Sequence, residues 1–264
     1  MQEAKSELDL KGIAPDIVCD RFSNEGWVRT LVQVPCEMQF TIYVNHQELV
    51  SILCTPVKLN CLVLGFLSAA GIISGLSDVA SMRVCEEEAL ADVMLVNPEF
   101  QLPTKRTLTS GCGGGAAFKM QGRVVDSDLV VTPAEVLSLM KQLQEQMDLY
   151  QHSGGMHASA LSDTASLLIV AEDIGRHNTF DKILGECLLR GQSTRDRLLL
   201  GTGRVSSEML LKAAEMQTPV VVSLTSPTER AISLAGDLGI ALVGYARGNR
   251  LSVYSHPERL GRST

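Results

Sequence analysis

The chain has 264 residues, 45% of them hydrophobic, and a formal net charge of −7. That length and apolar content suffice for one large core or two small ones. The acidic balance argues against a broad nucleic-acid surface, because phosphate binding needs clustered Lys and Arg, so no nucleic-acid partner is expected.

The opening residues, MQEAKSELDL, lack the basic and apolar regions of a secretory signal. Alternation such as FTIYV between about Trp27 and Asn45 predicts antiparallel strands. The longest apolar stretch, residues 62–76, is too short to span a bilayer and contains three glycines, so it reads as a buried helix ending near Gly71, with no membrane partner. Part of that stretch is also a candidate dimer surface. A strand near residues 81–84 follows, then the loop PTKRTLTSGCGGGAAF, residues 103–118.

After Asp128 the pattern changes. Thr132-Pro133-Ala134-Glu135 is a helix start, with an N-cap threonine, proline next and a glutamate three residues on, and the helix should run to about Tyr150. Apolar strands at 166–171, 198–201, 220–226, 241–245 and 251–255 then alternate with helices near 179–190 and 206–217 and one opened by Ser226-Pro227-Thr228-Glu229. Such strands imply a sheet covered on both faces. The predicted architecture is therefore α/β, with an N-terminal α+β domain over residues 1–128 and a C-terminal α/β domain over 129–264.

The seven cysteines are odd in number, irregularly spaced and without a CxxC, which disfavours a disulfide framework and the common zinc modules. A reducing compartment, the cytoplasm, fits, and no metal site is expected. Six of the cysteines have apolar neighbours and read as small hydrophobes. Cys112 differs. It sits in Ser110-Gly111-Cys112-Gly113-Gly114-Gly115, where glycines admit a close ligand, and Lys105 and Arg106 upstream favour the thiolate. A plain flexible turn is the competing reading.

HASAL, residues 157–161, precedes a buried strand. EDIGRHNTFDK, residues 172–182, gathers Asp173, Arg176, His177 and Asn178 at that strand's carboxyl end, where ligands bind in open α/β sheets. The alternative is a polar helix start capped by Asn178. GTGR, with Gly203 and Arg204, lies between a strand and a helix and suits an anion, although a tight turn also prefers glycine. YARGNR offers Tyr245 for stacking and Arg247 and Arg250 for phosphates, against the alternative of a plain hairpin turning at Gly248-Asn249.

In this order the segments resemble the formate dehydrogenase accessory sulfurtransferase family, FdhD. The resemblance runs from about Glu37 to Leu260 and rests on VNH, SGCGGG, HASAL, EDIGRHNTFDK, the GR-x-S-x-E-x-x-x-K stretch at 203–212, SPT, and GYARGNRLSVYSHPERL. It implies a sulfurtransferase in which a cysteine desulfurase loads sulfane sulfur onto Cys112 as a persulfide. The sulfur then passes to a bis-molybdopterin guanine dinucleotide cofactor bound for formate dehydrogenase, with no resident metal. It also implies a C-terminal domain similar to the cytidine-deaminase fold, a homodimer, and cofactor contacts at Tyr245, Ala246, Arg247, Gly248, Asn249 and Arg250, to which Gly203, Arg204, His177 and Asp173 are added from the residues above. Many members have a second cysteine three residues after the first, where this chain has Gly115. One thiol is enough for a persulfide relay.

Three rivals remain. A zinc deaminase needs H-x-E and P-C-x-x-C, whereas His157 is followed by Ala158 and Ser159. A Cys112–His157 hydrolase would need a more rigid loop. A chaperone that binds and escorts the molybdenum cofactor would use the C-terminal site without Cys112.

Overall fold

The structure, a computed structural model, describes residues 12–99 and 122–262 and the backbone of 107–108 and 116–117. Cys112, Lys105 and Arg106 lie outside the described residues.

The predicted strand region 27–45 splits between two sheets. β1 (Asp16–Ser23) and β2 (Gly26–Gln33) form an isolated antiparallel hairpin, while β3 (Met38–Val44) starts a separate four-stranded sheet with β4 (Gln47–Cys54), β5 (Val79–Cys85) and β6 (Leu90–Leu95). Its order is β4-β3-β6-β5, with only the β3–β6 pair parallel. The apolar stretch becomes α1 (Leu59–Ala69) and stops before Gly71, whose φ of +69° an L side chain resists. Its Leu62, Val63, Leu64 and Leu67 are fully buried and belong to the core, whereas Leu76, at the end of the stretch, is 40% exposed. Two-residue strands β7 (Thr107–Leu108) and β8 (Ala116–Ala117) pair on either side of the segment that contains Cys112.

The second half is a six-stranded sheet in the order β10-β9-β11-β12-β13-β14. HASAL does more than precede a strand: with Ser162 it forms one, β9 (His157–Ser162), antiparallel to both β10 (Leu167–Asp173) and β11 (Leu198–Gly201). β11, β12 (Val220–Ser223) and β13 (Ala241–Arg247) are parallel, and β14 (Arg250–Val253) returns beside β13. Alternation along the buried strands serves two cores. Leu199 and Val221 pack beneath α4 (Arg176–Arg190), α5 (Ser207–Glu215) and α6 (Glu229–Leu238), whereas Leu198, Leu200, Val220 and Val222 pack beneath α2 (Pro133–Glu145). This is the three-layer arrangement expected of strands buried on both faces.

The capping box forms as predicted: Glu135 N–H donates to Thr132 Oγ1 (3.2 Å) and Thr132 N–H to the Glu135 carboxylate (2.7 Å). The helix does not continue to Tyr150. It ends at Glu145, and α3 (Asp148–Ser153) restarts because the Leu149 and Tyr150 N–H groups donate to the Glu172 carboxylate, both at 2.9 Å. A second difference lies at Ser226, which is not a cap. Thr228 caps α6 by accepting from Ala231 N–H, and Pro227 bridges to Val205.

The two sheets are joined by α1 lying on α4. The helices cross at backbone contact: a Cβ at Gly65 would sit 1.7 Å from the Asp181 carbonyl oxygen, and one at Gly185 1.9 Å from that of Cys61. Only glycine permits this approach. Polar contacts fasten the same junction. Lys58 Nζ donates to Val170 O (2.8 Å) and pairs with Glu186 (2.5 Å), and Asn178 Nδ2 donates to Leu53 O (2.8 Å).

Candidate functional site

The carboxyl ends of the parallel strands define one edge of the large sheet. β9 runs the other way, so its first residue, His157, reaches this edge opposite Asp173 in the ladder. The turns after β10, β11, β12 and β13 arrive there too, and such edges are where α/β sheets bind ligands.

A chain of hydrogen bonds ties these turns together. The Tyr245 N–H donates to Thr225 O (3.1 Å), Thr225 N–H to Ser223 Oγ (3.0 Å), and Ser223 Oγ to Gly203 O (2.8 Å). Gly203 in turn lies against β9 and α4: a Cβ there would come within 3.0 Å of Arg176 Cβ and 3.1 Å of His157 Nδ1. Thr202 Oγ1 is 3.4 Å from the same nitrogen and accepts from Ala158 N–H at 3.0 Å. Hydrogen bonds and close contacts thus connect the YARGNR, GTGR and HASAL motifs and the turn at Thr225 at one edge of the sheet.

The electrostatics of the edge are positive. His177 is nearly buried, and burial, followed by Lys212, Arg176, His157 and Arg204, pulls its pKa down to about 3. Its Nε2 shares a hydrogen bond with Ser206 Oγ (3.2 Å) and lies 3.4 Å from Glu208 Oε2, a contact that is no ion pair at neutral pH because the ring is uncharged. Burial and Arg176 also lower His157, and burial raises Glu208. Lys212 is neutralised by Asp181 at 2.6 Å, whereas Arg204 is exposed. α4 begins at Arg176 with Gly175 as its cap, and the Asp173 carboxylate complements this helix end by accepting from Gly175 N–H (2.8 Å). Two neutral imidazoles beside Arg176 and the exposed Arg204 suit an anionic ligand.

Tyr245 is held in the left-handed region at φ +53° where the β13–β14 ladder shifts register, and its side chain is exposed. Gly244 makes this possible, since a Cβ there would meet Thr225 O at 2.9 Å. A strained, exposed aromatic at a strand end is a feature that functional sites often hold. The hairpin turns at Gly248 (φ +59°) and Asn249, and Arg247 and Arg250 face each other in register, both exposed.

Two expected contacts are placed otherwise. Ala246 is fully buried and packs in the core beside α2, so its side chain is turned from any ligand. Asp173 is also fully buried, and both its oxygens are occupied. Oδ1 accepts from Gly175 N–H and Asn178 Nδ2, both at 2.8 Å, and Oδ2 accepts from Thr55 N–H (3.1 Å) and pairs with Lys182 (2.6 Å). Asn178 is accordingly a buried clamp inside the first turn of α4, and not its cap. Ser206 and Glu208 were visible in the sequence only as letters of GR-x-S-x-E. Folding gives them work: Ser206 caps α5 by accepting from Met209 N–H, and both meet His177.

Among the described cysteines, Cys54, Cys61 and Cys187 are buried, while Cys19, Cys36 and Cys85 are half-buried. Burial pushes the Cys54 and Cys187 thiols up to about 12 and raises Cys61, so these three stay protonated at neutral pH. A cavity of about 390 Å³ touching Cys187, Arg195 and Glu215 lies at the other end of α4, away from the edge described above. No helix among the described residues is long and apolar enough to cross a membrane.

Comparison with known proteins gives a consistent picture. The model of the FdhD/NarQ family matches residues 35–261. The sulfur carrier protein FdhD of Bacillus subtilis is 40% identical over 232 residues, covering 85% of this chain and 88% of that protein. The Staphylococcus aureus protein of the same name is 36% identical over 248 residues, covering 91% and 94%. The crystal structure of a Desulfotalea psychrophila protein taken to be a formate dehydrogenase accessory protein superposes with a TM-score of 0.78 at 26% identity, covering 94% of this chain and 99% of that one.

Proposed function

Because the chain belongs to the FdhD/NarQ family, we propose that it is a cytoplasmic sulfur carrier in formate dehydrogenase maturation, acting as a sulfurtransferase through Cys112. In the loading step the Cys112 thiolate attacks the outer sulfur of a cysteine desulfurase persulfide. An S–S bond forms on Cys112 as the bond to the desulfurase breaks, and the desulfurase leaves as thiolate. Electrons balance without an oxidant, and a low thiol pKa favours the attack. The protonated state of Cys54, Cys61 and Cys187 makes them poor competitors.

The acceptor is a bis-molybdopterin guanine dinucleotide cofactor, bound as substrate. Its anionic diphosphate and guanine fit the edge that carries Gly203, Arg204 and His177 and the exposed Tyr245, Arg247, Gly248, Asn249 and Arg250. Asp173 positions this surface from beneath. The observation that carries the reading is the hydrogen-bond chain from Tyr245 through Thr225 and Ser223 to Gly203, which holds the separate motifs together at one edge of the sheet.

The test is mass spectrometry after incubation with a cysteine desulfurase and cysteine. Addition of one sulfur atom at Cys112, and its loss in Cys112→Ser together with formate dehydrogenase maturation, is the expected result. Full maturation by the serine variant would leave an escort of the cofactor as the function.

A further inference from the structure

The cavity of about 390 Å³ at the far end of α4 lies away from the sheet edge that faces the sulfur acceptor. Its floor is apolar: Leu184, Cys187 and Met216 are buried, and Leu188 beside them is half-buried. Its mouth carries one charge of each sign, Arg195 from the loop after α4 and Glu215 from the last turn of α5, both exposed. The walls are held in place. Gln192 N–H donates to Cys187 O (2.9 Å), and Thr194 Oγ1 donates to Met216 O (2.5 Å), which ties the loop to the end of α5. A preformed, largely apolar concavity with a few placed polar groups is the form that small-molecule sites take. We propose that this cavity binds a free α-amino acid with an apolar side chain.

The charges select the ligand. α4 and α5 both end at the cavity, through their caps Gly191 and Met216, so the negative ends of two helix dipoles converge on it. The basic residues of those last turns are taken up elsewhere, Arg190 by Glu186 and Lys212 by Asp181. Glu215 adds a full negative charge, so this side of the mouth suits an ammonium group. Arg195 supplies the opposite sign. One of its amino nitrogens donates to Asp126 O (3.3 Å), which steadies the guanidinium and leaves its other donors for a carboxylate. Among the described residues no ion pair joins Arg195 to Glu215 or takes up either one. A zwitterion with an apolar tail therefore matches the two charges and the floor together. A fatty acid would leave Glu215 unmatched, a simple amine would leave Arg195 unmatched, and a nucleotide would bring phosphates to a negative pole.

The test is calorimetry of the full chain with L-leucine and L-methionine, and binding of one ligand per chain is expected. Isocaproate and isoamylamine, which keep the apolar tail of leucine and lack one charge each, should bind at least about tenfold more weakly, as each loses a charge-assisted contact. Glu215→Gln and Arg195→Gln should weaken leucine by a similar factor while leaving the melting temperature of the unliganded protein unchanged, since both positions are exposed. Saturating GDP should leave the affinity for leucine as it was, because the amino acid sits away from the sheet edge. Absence of binding by both amino acids, equal binding of isocaproate or isoamylamine, variants of wild-type affinity, or displacement by GDP would overturn the proposal. Failure here leaves the sulfur-carrier reading untouched, since sulfur loading on Cys112 is read separately and no residue of the edge is altered.

Discussion

Lys182 reaches the Asp173 carboxylate at 2.6 Å with neither side chain exposed to solvent, and the same ammonium donates to Thr55 O (3.1 Å) and Glu172 O (3.2 Å). Thr55 follows β4 of the small sheet and Asp173 ends β10 of the large one, so a buried ion pair fastens one sheet to the other. Removing one partner of such a pair leaves an uncompensated charge, at a cost of ~3–5 kcal/mol. Asp173→Ala should lower the unfolding free energy by about that amount in urea titrations. A loss under 1 kcal/mol would mean that the junction does not depend on this pair.

The crossing of α1 and α4 is more demanding still. With a Cβ at Gly65 placed 1.7 Å from a carbonyl oxygen, Gly65→Ala must force the helices apart. Overpacking costs typically 1–3 kcal/mol and more where backbone is the obstacle. Gly65→Ala and Gly185→Ala should each express as insoluble or markedly destabilised protein, whereas alanine at the open position Gly236 should be tolerated. Circular dichroism melting of the three variants decides this.

The neutral state of His177 gives a pH dependence of known sign. Its folded pKa, about 3, lies below the ordinary value of 6.5, so below pH 6.5 the unfolded chain binds a proton that the folded chain refuses. Stability is complete above pH 6.5 and is lost as pH falls from there toward 3, with a slope of up to ~1.4 kcal/mol per pH unit. His157 is lowered too and adds to the same window. His177→Ala should flatten the decline between pH 7 and pH 5, lower the melting temperature at neutral pH by only a few degrees, and strongly reduce maturation. A wild-type slope that the variant reproduces would show the ring to be solvated.

Tyr245 separates strain from binding. A non-glycine residue in the left-handed region costs on the order of 1–3 kcal/mol. Tyr245→Gly should therefore leave the melting temperature within a few degrees of wild type, or raise it, while weakening GDP. Arg250→Ala should weaken GDP by roughly tenfold or more, for the loss of ~1.5–3 kcal/mol of charge-assisted contact, and AMP should bind worse than GDP throughout. Calorimetry that finds no GDP affinity in the wild type would remove the nucleotide from this edge.

Thiol reactivity provides a separate check. With thiol pKa values near 12, Cys54 and Cys187 should resist alkylation at pH 7.5 in the folded protein and react once it is unfolded. Cys112 should be modified first. Mass mapping of early adducts to Cys54 or Cys187 would contradict the buried, protonated state.

The sequence by itself determined what depends on neighbours in the chain. Continuous apolar runs such as LLL at 198–200 and VVV at 220–222 required a sheet covered on both faces, Thr132 and Glu135 required a helix start, and EDIGRHN with GR-x-S-x-E marked the family. Tertiary structure alone decided which polar residue faces which way. Asp173, His177 and Asn178 are indistinguishable as letters in one polar segment, yet Asp173 and Asn178 turn inward because Thr55, Leu53 and Lys182 reach them from residues far away in the chain or on the next turn of α4, while His177 turns to Ser206 and Glu208. Ala246 lies in YARGNR with its side chain in the core, because a strand sends alternate residues to opposite faces. Glu172 likewise cut the predicted helix in two by offering its carboxylate to the N–H groups of Leu149 and Tyr150. Each of these outcomes rests on a hydrogen-bond partner or a packing surface that comes from another segment of the fold, and only the folded chain brings the two together.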